Sequence, residues 1–132
     1  MSAAKAKALT FVAAPASWAP AKAGRKVVLG ADVSSTKALL AALARGLGLA
    51  SHFGHNWDAL EESLREFSWS GGAPSISIVH EALPQVGEED LRVYLDILAS
   101  SIAELRASKD AVPEVTAVFP EGVRKEVAKL LK

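Results

Sequence analysis

The chain has no cysteine, which excludes a disulfide scaffold, a thiolate metal site and a cysteine nucleophile. The same absence suits a reducing compartment. Half of the residues are hydrophobic, yet no run approaches the roughly 18 apolar residues of a membrane span. Net charge is missing as well. Fifteen basic and 15 acidic residues cancel, so no overall field argues for nucleic acid or membrane as a partner. There is no Ser-His-Asp order around a nucleophile elbow and no phosphate loop, Gly71 and Gly72 standing isolated. At 132 residues the chain is one domain, long enough for a single core and too short for two.

What is present is unevenly placed. Residues 1–28 carry Lys5, Lys7, Lys22, Arg25 and Lys26 and no acid. Residues 57–67 set Asp58, Glu61, Glu62 and Glu66 against Arg65 alone, and residues 81–104 set six acids against Arg92. The middle of the chain is acidic and its ends are basic. Lys5 and Lys7 before Ala8–Ala14 have the outline of a signal peptide, but that apolar run is about seven residues, the lower limit for one, and Thr10 interrupts it. Leu9–Ala13 reads instead as an added edge strand, followed by a Pro/Ala linker through Ala23.

Arg25–Gly30 reads as a strand ended by glycine. Asp32–Ser35 offers helix caps, and Leu39, Leu40, Leu43, Leu47 and Leu49 then recur at helical spacing until Gly46 and Gly48 loosen the pattern. After a loop at 50–55, Asn56 caps a helix over Trp57–Phe67. Ile76–Val79 is a buried strand, and Glu88–Leu105 is a long helix with acids in its first turn. Val115–Phe119 is a further strand, and Glu121–Leu131 a basic closing helix. Strand, two helices, strand, long helix, strand describes a small α/β domain with a mostly parallel sheet, its crossovers supplied by helices.

The helix at 57–67 carries the clearest polarity. On a 3.6-residue period, Trp57, Leu60, Leu64 and Phe67 form one stripe that must face the core. Asp58, Glu62 and Glu66 stack along the opposite side with Glu61 beside them. Like charges at i, i+4 cost a few tenths of a kcal/mol; Arg65 relieves part of this, and Asp58 gains from the helix dipole. By itself, such a row also suits an ordinary solvated face.

The loop adds specificity. Phe53–Leu60 (FGHNWDAL), followed by Glu61, Glu62, Ser63 and Leu64 and by Trp69 beyond the helix, closely resembles the signature of the barstar family, small intracellular inhibitors of secreted barnase-like ribonucleases. The order of elements matches that family over about residues 25–120. The fold the resemblance implies is α/β and three-layer-like, a mostly parallel three-stranded sheet with helices packed on it. Residues 1–24 would be an N-terminal extension, and 25–132 a barstar-like domain with a C-terminal basic helix.

The implied function is inhibition, without catalysis, cofactor or metal. A cytoplasmic protein, monomeric when free, would block the cleft of a small basic ribonuclease one to one, its carboxylates occupying the phosphate positions. The implied partner surface is His52, Phe53, Gly54, His55, Asn56, Trp57, Asp58, Glu61, Glu62 and Glu66. Asp58 matches a family position whose carboxylate enters the active site. Glu62 matches the neighbouring position nearest the phosphate site, where Asp is usual and Glu reaches one methylene further. His52 and Glu61 stand where the best-known member has Tyr and Trp, which points to a related nuclease rather than barnase. Gly54 and Asn56 would shape the loop and cap the helix, Trp57 would be core or a half-buried rim, and Phe53 and Trp69 core. Asp96 is the candidate for the family's further acidic contact on the long helix.

Other readings fit some of these residues. The target could be a competitor's nuclease toxin, making this an immunity protein. His52, His55, Asp58 and Glu62 have the donor types of a zinc or acid–base site, though without the i, i+4 spacing of an HExxH helix. The basic ends could touch nucleic acid, but few aromatics interleave them and the acidic surface lies close by.

Overall fold

Every residue of Ser75–His80 is buried, the pattern of a strand covered on both faces inside a parallel sheet. The computed structural model describes residues 7–19, 24–49, 56–65, 75–108 and 114–131. Its strands are β1 (Thr10–Val12), β2 (Arg25–Leu29), β3 (Ser75–His80) and β4 (Glu114–Pro120). They form one sheet in the order β1-β4-β3-β2, with every pairing parallel. The expected three-stranded, mostly parallel sheet is thus four-stranded and wholly parallel. The additional strand is β1, the edge strand expected at Leu9–Ala13, which pairs with the outer side of β4 through Thr10↔Val118 and Phe11↔Phe119.

The two faces of the sheet differ. Val27, Leu29, Ile76, Ile78, Val115, Ala117 and Phe119 belong to the hydrophobic core together with the helices. These are α1 (Thr36–Leu47), α2 (Trp57–Arg65), α3 (Glu88–Ala107) and α4 (Arg124–Leu130), the last entered through a 3-10 turn at Glu121–Val123. Leu39, Leu43 and Leu47 of α1 and Leu95, Leu98 and Ile102 of α3 are essentially inaccessible, each such side chain contributing roughly 1.5–3 kcal/mol. Gly46 lets α1 approach β2: a Cβ there would lie 2.4 Å from Cγ1 of Val27. Ser35 caps α1 by accepting from the Ala38 N–H, and Gly48 ends it with φ of 69°, a conformation only glycine adopts without cost. Arg25 donates to the Leu47 carbonyl at 3.2 Å, placing a cation at the negative end of that helix.

The opposite face carries Ser75, Ser77 and Val79 of β3, all buried. The segment read as a linker covers it. After β1 the chain makes a 3-10 turn at Pro15–Ser17, with Pro15 buried. Trp18 Nε1 donates to Ser77 Oγ at 2.9 Å, and Lys26 Nζ donates to the Ala16 carbonyl at 3.1 Å. The N-terminal segment therefore crosses the sheet from the β1 edge towards β2, giving the Ser77 hydroxyl a partner. No helix among the described residues is long and apolar enough to cross a membrane.

Candidate functional site

The helix α2 begins where the sequence places it. Asn56 Oδ1 accepts from the Ala59 N–H at 2.8 Å, satisfying one of the donors a helix start leaves open. Leu60 and Leu64 are buried at 1% and 2% exposure and Trp57 is half-buried, while Asp58 and Glu62 are exposed. The helix thus has an anchored side and an acidic side. Neither Asp58 nor Glu62 has an ion-pair or hydrogen-bond partner among the described residues.

Glu61 differs from these two. It is half-buried, and Arg65 reaches both Glu61 at 3.6 Å and Glu104 of α3 at 3.3 Å. Its charge is partly answered within the protein, whereas those of Asp58 and Glu62 face outward. His52, Phe53, Gly54, His55, Glu66, Phe67 and Trp69 lie outside the described residues. Asp96 is half-buried on α3. Among the described residues no three His, Asp or Glu side chains gather as a metal site.

Behind α2 lies a polar connection that helical periodicity does not reveal. Trp57 Nε1 donates to Asp90 Oδ1 at 3.3 Å, and Thr36 Oγ1 donates to Asp90 Oδ2 at 2.7 Å. One carboxylate therefore joins α1, α2 and α3. The Trp57 ring also packs on Tyr94, with centroids 5.9 Å apart. Tyr94 donates its hydroxyl hydrogen to His80 Nε2 at 2.6 Å. His80 Nδ1 lies 2.9 Å from the Val118 carbonyl, which can only accept, so the hydrogen sits on Nδ1 and the Nε2 lone pair receives the phenol. His80 stacks on Phe119 at 4.0 Å. Burial holds His80 at a pKa of about 4 and pushes the Tyr94 phenol up: with no water to solvate either ion, both remain neutral.

These network residues are easy to overlook in the sequence. Asp90 reads as one of three acids in the first turn of α3, and His80 as the end of a strand. The available signal is the inward phase of position 90 relative to Tyr94, four residues on, since a polar group on a buried stripe calls for a partner.

Comparison with known families gives a match to Barstar (barnase inhibitor) over residues 25–118. Searches of curated proteins and of solved structures return no match. The matched stretch takes in β2 through most of β4 and all of α2, including the Asn56 cap and the outward Asp58 and Glu62. The chain belongs to the barstar family.

Proposed function

We propose that this protein inhibits a small, basic, barnase-like ribonuclease by binding it one to one and setting the acidic side of α2 over its cleft. Asp58 and Glu62 occupy the positions of substrate phosphates, and His52, Phe53, Gly54, His55 and Asn56, just before them in the sequence, complete the partner surface. The protein acts in the cytoplasm, as a monomer when free, and performs no chemistry of its own. The observation that carries this reading is the outward placement of Asp58 and Glu62 on a helix whose other side is anchored by Leu60 and Leu64. A short helix held from behind presents charges at fixed positions, which lowers the ordering cost of binding.

Electrostatics would also govern the encounter. A negative helix approaching a cationic cleft is steered over distances comparable to the Debye length, about 8 Å at 0.15 M salt. The test is a panel of barnase-like ribonucleases, assayed for RNA cleavage with and without equimolar protein. Inhibition of at least one, with an association rate that falls as salt rises, is the expected result. Undiminished cleavage by every member would overturn the reading.

A further inference from the structure

We propose that Asp90 positions the acidic side of α2: its carboxylate ties the first residue of that helix to α1 and α3 and so sets where Asp58 and Glu62 project. The consequence for binding rests on the inhibitor reading; the positioning itself does not. The described span of α2, Trp57–Arg65, has nine residues, too few to hold a helical shape in isolation. Its two fully buried residues, Leu60 and Leu64, lie four positions apart on one stripe. They determine which side faces inward. A single apolar stripe resists rolling and axial sliding poorly, because dispersion contacts are non-directional. A hydrogen bond from Trp57, at the helix start and beside Asp58, is directional.

Three acids open α3, and Asp90 stands apart from the other two. Glu88 and Glu89 are exposed, as acids complementing a helix dipole need only be. Asp90 is half-buried and accepts from Trp57 and Thr36 together. Trp57 is in turn backed by Tyr94, whose hydroxyl is committed to His80 on β3. The start of α2 is therefore referenced to two helices through Asp90 and to the sheet through Tyr94. A charge that merely added to the acidic surface would need neither donor.

Asn can reproduce both bonds without the charge: its Oδ1 accepts from Trp57 Nε1–H and its Nδ2 donates to Thr36 Oγ1. Asp90→Asn and Asp90→Ala therefore separate positioning from charge. In the free protein, amide exchange of residues 60–65 is expected to quicken by about tenfold in Asp90→Ala, the size of one lost charge-assisted bond. Exchange of β3 should not change, and the Trp57 indole N–H resonance should shift. Asp90→Asn should stay near wild type in all three. Should Asp90→Ala fail to fold, Trp57→Phe deletes the N–H while keeping a ring on Tyr94, and should quicken the same amides.

With the ribonuclease found to be inhibited, Asp90→Ala should weaken binding and Asp90→Asn should not. Unchanged exchange in α2 for both Asp90→Ala and Trp57→Phe, or an Asn variant as impaired as the Ala variant, would overturn the proposal. If no ribonuclease is inhibited, the inhibitor reading falls, and the exchange data still decide the role of Asp90.

Discussion

Tyr94 and His80 share a 2.6 Å hydrogen bond in the core, the phenol donating to an imidazole that burial keeps neutral. This pair joins α3 to β3, and through the Val118 carbonyl to β4. Among the described residues it is also the clearest source of pH dependence. His80 titrates near 4 in the folded state against 6.5 for an unperturbed imidazole, so between those values the unfolded chain binds a proton that the folded one refuses. Stability therefore rises with pH across this window. The contribution is fully present above about 6.5 and is lost as pH falls towards 4, in total on the order of 3 kcal/mol. Urea unfolding at about pH 5 and about pH 7 should show the loss, and His80→Gln should flatten the slope. An equal slope in that variant would assign the effect elsewhere.

Removing the phenol tests the same pair from its other side. Tyr94→Phe leaves Nε2 of a fully buried His80 without a donor. A cost of about 1–3 kcal/mol is expected. Thermal or urea unfolding at neutral pH measures it.

The N-terminal segment should matter more to stability than its Ala- and Pro-rich composition suggests. Ala8 and Leu9 are buried, and Phe11 packs at 6.0 Å from Phe119 with the Arg124 guanidinium 4.8 Å from its centroid. Deleting residues 1–19 would remove the buried Ala8 and Leu9, take Phe11 off Phe119, free one edge of β4 and leave the Ser77 hydroxyl without its indole donor. The expected loss is at least about 3 kcal/mol, summing one buried leucine and one buried polar group. A truncated chain as stable as the full one, by urea titration, would mean the segment merely rests on the sheet.

Ser101 offers a prediction in the other direction. Its hydroxyl is buried in α3 and has no hydrogen-bond partner among the described residues. Ser101→Ala removes that unsatisfied group and improves helix propensity. A gain of about 0.5–1 kcal/mol is expected in chemical unfolding.

The elements that depend on local periodicity were legible in the sequence. The leucine rows at 39–47 and 91–105, the Asn56 cap and the valine- and isoleucine-rich strands all describe their own surroundings. So did the outward phase of Asp58 and Glu62 opposite Leu60 and Leu64. Long-range polar pairs were not legible. Trp57 and Asp90 are separated by 33 positions, and Trp18 and Ser77 by 59, and neither spacing leaves a periodic trace. The cover over the second face of the sheet was hidden for a related reason. Among the described residues it includes the buried Pro15, the Trp18 indole and the Ala16 carbonyl, in a stretch whose composition is that of a linker.

The partner surface is tested most sharply by four alanine substitutions on α2. Asp58 and Glu62 are exposed, so their Ala variants should remain folded, with stability changes within about 0.5 kcal/mol and some gain from relieved repulsion. Binding should respond differently, because a carboxylate removed from a desolvated cationic cleft leaves the partner's charges unpaired. That costs about 2–5 kcal/mol, a scale that comes from interface charge pairs, those of barnase with barstar included, rather than from this chain's geometry. Glu62→Ala should be most damaging and Asp58→Ala next. Glu61→Ala should be mild, since Glu61 is half-buried and already paired with Arg65, and Glu66→Ala should be mild as well. Titration calorimetry against the inhibited ribonuclease ranks the four. Equal, small losses throughout would reduce the acidic side of α2 to a solvated surface.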